Sequence, residues 1–131
     1  MPSIKNPSGR RTLYVRRTLR EGPKPLEQLC LFFYRAGYPV YMPYDPEVQH
    51  SADEIKRRDM EALRFCDIAV LELQEPSLAV AQELGAARAL GKPVILITSS
   101  AAVTAHNWVR GDSGITCCAT KEEALELLRA Y

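Results

Sequence analysis

Two carboxylates, Glu83 and Asp59, stand where amphipathic helices would place apolar side chains. At about 100° per residue, the run from Ala79 to Leu90 sets Val80, Leu84, Ala87 and Leu90 along one stripe, and Glu83 falls inside it. Between Ala52 and Cys66 the apolar face is Ile55, Ala62, Leu63 and Cys66, with Asp59 projecting from its middle; Asp53, Glu54 and Glu61 lie off that face. Burying a carboxylate is costly unless it is paired or hydrogen-bonded, and buried ionisable groups concentrate at working sites. Two structural readings stand beside the functional one: a Glu near a helix N-terminus is favoured by the helix dipole, and an inward-reaching Arg would pair with one of the acids. Two inward carboxylates without a metal suit cleavage of a glycosidic bond. One attacks the anomeric carbon while the other handles protons or orients the sugar hydroxyls and leaving group.

Candidate anion anchors surround this pair. Ser77 stands where the helix bearing Glu83 begins, so its hydroxyl and the free backbone N–H groups beside it would suit a phosphate; plain N-capping is the alternative. Arg16, Arg17 and Arg20 follow the first β-prone run, and a guanidinium fork matches a phosphate dianion, although a solvated loop would carry arginines too.

The elements that must position these groups alternate in type. Thr12–Val15 reads as a first strand and RRTLREGPKP as a loop, ending near a helix start at Pro25. Leu26, Leu29, Cys30 and Phe33 recur at helical spacing up to Gly37, a natural stop. Val40–Met42 reads as a strand closed by Pro43, Ser51 with Glu54 as a capping box opening a helix to about Cys66, and Asp67–Leu73 as a buried strand. After the Glu83 helix come Lys92-Pro93, the strand Val94–Thr98, a long loop from Ser99 to Gly114, a short strand at Ile115–Cys118, and a last helix capped by Thr120 with Glu123. This order predicts a three-layer α/β domain over 12–131 with a mainly parallel five-stranded sheet, preceded by a flexible arm over 1–11. Ligands of such sheets bind beyond the carboxyl ends of the strands.

Composition narrows the partners. A formal net charge of +1 provides no broad field for a nucleic acid polymer or a membrane, while a local cluster still suits a small anionic ligand. No stretch approaches the roughly 20 apolar residues of a membrane span, and the N-terminus has no apolar signal region, so a cytoplasmic protein is expected. Cys30, Cys66, Cys117 and Cys118 lack CxxC spacing and read as core thiols; with only His50 and His106 besides, no metal and no other cofactor is expected. The length of the 99–114 loop favours a lid or a subunit contact. Its Trp108 would stack on a nucleobase, bury in a partner subunit, or make a local core contact.

The segment CDIAVLELQEPSLAVAQELGAARALGKPVILI, with RRDMEALRFCD before it and GRRTLYVRRTLREG at the start, resembles the nucleoside 2-deoxyribosyltransferase family, in particular its branch of 2'-deoxynucleoside 5'-phosphate N-hydrolases. The similarity runs from about Arg11 to the last helix, and P-S-L-x-V-x-x-E-L-G-x-A is its most specific piece. The resemblance implies a Rossmann-like sheet, usually in a homodimer, and a reaction that splits a deoxynucleoside monophosphate into free base and deoxyribose 5-phosphate. It implies Glu83 as the nucleophile, Asp59 as the second acid, Tyr14 as the aromatic that positions nucleophile and sugar, and Arg20 and Ser77 as phosphate contacts. Arg17 stands where the family usually has glycine, Ala79 and Ala81 replace two further glycines, and Gln82 replaces an aromatic. Each of these additions narrows the expected pocket, and Arg17 becomes either a new anchor or a plug.

Overall fold

Continuous apolar runs make strands that must be covered on both faces, and the chain uses them in that way. A computed structural model describes residues 10–42 and 50–131. Among these, β1 (Leu13–Arg16), β2 (Val40–Tyr41), β3 (Ile68–Glu72), β4 (Val94–Ile97) and β5 (Ile115–Cys118) form one sheet in the order β2-β1-β3-β4-β5, every pair parallel. The helices α1 (Lys24–Arg35), α2 (Ala52–Phe65), α3 (Leu78–Ala89) and α6 (Lys121–Leu128) supply the crossovers and the last covering layer. Residues 1–9 of the expected arm and Pro43 lie outside the described residues. Arg10 lies over the Tyr38 ring at 4.9 Å.

Period-2 alternation sorts the strand residues between two cores. Leu13, Val15, Ile68, Val70, Ile95 and Ile97 pack with Leu26, Leu29, Cys30 and Phe33 of α1 and Ala124 and Leu128 of α6. Tyr14, Ala69, Leu71, Val94 and Leu96 pack with Ala62, Leu63 and Cys66 at the end of α2 and with Val80 and Ala87 of α3. The strand order reverses direction between β1 and β3, so the crevice at their carboxyl ends is the topological switch point.

Local signals set the helix ends. Ser51 Oγ accepts a hydrogen bond from Glu54 N and Thr120 Oγ1 one from Glu123 N, as both capping boxes predict. Gly37 ends α1 with φ +97°, a conformation that a side chain would strain.

Three expectations need correction. The 99–114 segment holds two short helices, α4 (Ala101–Thr104) and α5 (Asn107–Arg110), whose N-caps are Ser100 and His106. Trp108 is 84% exposed and makes no core contact. Cys117 is exposed, because the edge strand β5 is left uncovered there, whereas Cys30, Cys66 and Cys118 are buried. Burial pushes Cys66 up to about 12 and Cys30 and Cys118 up to about 11, which keeps these thiols protonated.

A polar staple fixes α3 to β5. Arg88 Nε donates to Asp112 Oδ2 at 2.8 Å and Nη1 to the Lys92 carbonyl at 2.7 Å, while Gly114 N donates to Asp112 Oδ1. A Cβ at Gly114 would collide with the Arg88 guanidinium. Gly114→Ala is therefore expected to lower Tm by about a few degrees, and adding Arg88→Ala to it should cost little more, since the first change already breaks the staple. Thermal melts of the two single variants and the double check this.

Candidate active site

The sequence rules that build β1 also build the site. Tyr14 and Arg16 are two residues apart on one strand, so both point to the α2/α3 side. Arg16 is the last residue of β1 and not part of the following loop, and it is 6% exposed. Its Nη2 donates to Asp59 Oδ1 at 2.8 Å and its Nη1 to the Val15 carbonyl at 3.0 Å, while Nε lies 3.5 Å from Glu83 Oε2. The guanidinium covers the Tyr14 ring at 4.4 Å and the Tyr41 ring at 5.6 Å, and the two rings stack with centroids 6.0 Å apart. One guanidinium thus bridges the two acids, and neither faces bulk solvent: the side chains of Asp59 and Glu83 are 20% and 17% exposed.

The reading in which an inward Arg pairs with the acids is therefore part of the structure. Glu83 Oε2 and the Tyr14 hydroxyl are both buried without a hydrogen-bond partner among the described residues. The phenol is close enough to act on the carboxyl without making a hydrogen bond to it. Burial pushes Glu83 from 4.5 up to about 7, with Asp59 adding to the rise and Arg16 and the Tyr14 hydroxyl opposing it. Tyr14 is driven far above its ordinary value, chiefly by burial, and stays a neutral phenol. For Arg16, burial opposes the charge, but Tyr14, Glu83 and Asp59 more than offset this and hold the cation firmly.

A cleft of about 590 Å³ opens over this cluster, within the size range of small-molecule sites. Arg16, Arg17, Arg20, Asp59, Ser77 and Glu83 all contribute to its lining, so the sequence-selected residues converge, with Tyr14 behind them in the core. A second cleft of about 530 Å³ adjoins it, sharing Ile55, Asp59, Ala79 and Glu83 and extending past Lys56, Met60 and Gln82. Ala79, in the place of an expected glycine, therefore lines both clefts.

Arg17 and Arg20 carry partners that the sequence reading missed, while Ser77 makes the N-cap it gave as an alternative. Arg17 does not plug the cleft. Its Nε turns to Glu72 Oε1 at 3.0 Å, a contact too poorly angled for a hydrogen bond. Arg20, largely exposed, donates from Nη1 to Glu75 Oε2 at 2.7 Å. Ser77 Oγ accepts from Val80 N at 3.3 Å, the N-cap of α3. Glu72, Glu75 and Tyr41 are the residues that the structure adds to the neighbourhood of the site. Glu72 was visible as the one acid in an otherwise apolar strand, and Glu75 as its near neighbour beyond the strand end.

Among the described residues, no group of His, Cys, Asp and Glu is arranged to hold a metal ion, and no helix is long and apolar enough to cross a membrane. The site combines a buried carboxyl pushed up to about 7, a second acid, a neutral phenol and several guanidinium groups at one strand switch point.

Known proteins share this arrangement of elements. The structure of a CMP N-glycosidase from Clostridium botulinum superposes with a TM-score of 0.65 at 25% identity, over 92% of this chain and 98% of that one. A 2-deoxyribosyltransferase from Bacillus psychrosaccharolyticus gives a TM-score of 0.68 at 22% identity, over 86% and 89% of the two chains, which speaks for the fold alone. A mouse (Mus musculus) 5-hydroxymethyl-dUMP N-hydrolase is 49% identical over 43 residues, 33% of this chain and only 25% of that protein. The nucleoside 2-deoxyribosyltransferase family model matches residues 20–126, and with a parallel five-stranded α/β fold to match, the chain belongs to the nucleoside 2-deoxyribosyltransferase family.

Proposed function

We propose that the protein is an N-glycosidase that hydrolyses the base–sugar bond of (2'-deoxy)nucleoside 5'-monophosphates. Family membership supports chemistry at an N-glycosyl bond, by hydrolysis or by transfer. The observation that carries the finer reading is the convergence of Glu83 and Asp59 on one cleft that Arg17 and Arg20 also line.

In this reading ionised Glu83 attacks the anomeric carbon as the bond to the base nitrogen breaks, and that electron pair leaves with the base. Asp59 or solvent supplies the proton that the departing base needs. Water then attacks the anomeric carbon of the glycosyl-Glu ester and gives up a proton to the group that protonated the base, (deoxy)ribose 5-phosphate departs, and the Glu83 carboxylate is regenerated. Tyr14, neutral and buried beside Glu83, positions the nucleophile. The 5'-phosphate takes Arg20, Arg17 and the α3 N-terminus at Ser77, exchanging Glu75 for phosphate as the partner of Arg20.

Chromatography of products from a panel of ribo- and deoxyribonucleosides and their monophosphates, with and without a free acceptor base, tests this. Release of free base that depends on the 5'-phosphate supports the hydrolase; base exchange indifferent to phosphate supports a deoxyribosyltransferase. Arg20→Ala is expected to raise KM for a monophosphate by about tenfold, a value set by one exposed charge-assisted hydrogen bond, without changing the rate on the matching nucleoside. Steady-state kinetics on the two substrates reads both.

The Arg16 ion pairs favour a second reading, a nucleotide-binding module without turnover. Calorimetric binding of a monophosphate unaffected by Glu83→Gln, with no free base in a sensitive assay, would decide for it.

A further inference from the structure

Arg16 is the most enclosed charge in the site, and the reaction just described leaves it without a role. A buried guanidinium is costly unless fully partnered, and here three sets of contacts hold it independently of Glu83. These are the Val15 carbonyl, the Asp59 carboxylate at 2.8 Å and the faces of Tyr14 and Tyr41. It is therefore a fixed positive charge on a rigid strand end, with Glu83 as its loosely held neighbour at 3.5 Å. Because Oε2 is the enclosed oxygen of Glu83, Oε1 is the one left to meet a substrate.

We propose that Arg16 is a positioning residue for Glu83, turning Oε2 inward and biasing this buried carboxyl toward the ionised form that attacks. The proposal rests on the reading of Glu83 as nucleophile. The groups that act on Glu83 are Arg16 and Tyr14 from β1 and Asp59 from α2; Lys56, Arg17, Arg20 and Glu27 line the clefts that it borders. Of the three that act directly, burial apart, Arg16 is the one cation. Without it, burial and Asp59 together would keep Glu83 protonated further into the alkaline range.

The test compares full-length Arg16→Met, which keeps much of the bulk and removes the charge, with Arg16→Lys, which keeps a charge. The titration of the Glu83 carboxyl is followed in the ligand-free protein by carbon NMR on glutamate-labelled chain, with Glu83→Gln supplying the assignment. The midpoint is expected to rise by at least about one pH unit in Arg16→Met and to return toward the wild-type value in Arg16→Lys. The acid limb of kcat/KM for base release should move in parallel, so Arg16→Met loses about tenfold more activity at pH 6 than at pH 9. A midpoint unmoved in folded Arg16→Met, or a loss equal at every pH, overturns the proposal.

Should Arg16→Met not fold, the same titration is read in Arg16→Met/Asp59→Asn against Asp59→Asn alone. The double variant is expected to titrate at the higher pH, and equality overturns the proposal. If the wild type releases no base from any nucleotide, the proposed function fails, while the carboxyl titration still decides the role of Arg16.

Discussion

Glu83→Gln is expected to lower base release by at least about a thousandfold, as removal of a covalent nucleophile does, and to make the protein more stable at alkaline pH. The second effect comes from the burial of the carboxyl. The folded chain raises Glu83 from 4.5 to about 7, so between these values the native state holds a proton that the unfolded chain has released. The stability contributed by the protonated form is complete below about pH 4.5 and is lost as pH rises through about 7. Glutamine is neutral throughout and keeps that stability. At pH 8, relative to its effect at pH 4, Glu83→Gln should therefore gain up to about 3 kcal/mol, the free energy equivalent of the shift. Denaturant unfolding of both proteins at the two pH values reads the gain. Equal stability changes at both would mean that Glu83 ionises in the native state as readily as in the unfolded chain. Activity without stability loss in the wild type would contradict the idea that the nucleophile is held in a destabilised form.

The inward placement of Glu83 and Asp59 was legible because an acid within a helical apolar arc leaves a mark in periodicity that no surface acid leaves. The sheet was equally legible, since Ile68–Leu71 and Val94–Ile97 are buried on both faces and read as unbroken apolar runs. Arg16 was harder. Its charge made Val15 look like the end of β1, yet parity with Tyr14 already put position 16 on the α2/α3 face once the strand ran one residue further. What hid it is that a charge at a strand end is usually solvated, whereas here Asp59 from a distant part of the sequence makes burial tolerable. The helices α4 and α5 are four residues each, too short for a helical period to show, and only their caps at Ser100 and His106 marked them.

The partners of Arg17 and Arg20 belong to the same class of hidden feature. Glu72 ends β3 and Glu75 follows it, so both come to the carboxyl edge of the sheet beside the residues after β1 because β1 and β3 pair in parallel. Pairing of adjacent strands creates these contacts, and a single-sequence period cannot show which strands are adjacent. The physical consequence is a site whose anchors are charge-balanced before any anion arrives. On the proposed function a phosphate would compete with carboxylates that are already in place, which favours a dianion over a singly charged group.

Asp59→Asn separates the two acids by sign. If Asp59 is the group that protonates the departing base, as the proposed function allows, its loss is expected to lower kcat by about a hundredfold, in the ordinary range for proton transfer by a positioned side chain. Asparagine also removes the negative charge that raises Glu83 and releases Arg16 from its shortest ion pair, so the guanidinium acts on Glu83 alone. Both changes lower the pH at which Glu83 ionises. The acid limb of kcat/KM, expected near pH 7 in the wild type because Glu83 is pushed up to about 7, should therefore move to lower pH in Asp59→Asn even as the plateau falls. The substrate phosphate titrates near pH 6 in every variant, so the informative quantity is the displacement between proteins on one substrate. A pH–rate series for wild type and Asp59→Asn measures it. A limb moving upward would mean that Arg16 follows Asp59 out of the site, and that the carboxylate at position 59 serves to hold the guanidinium where Glu83 needs it.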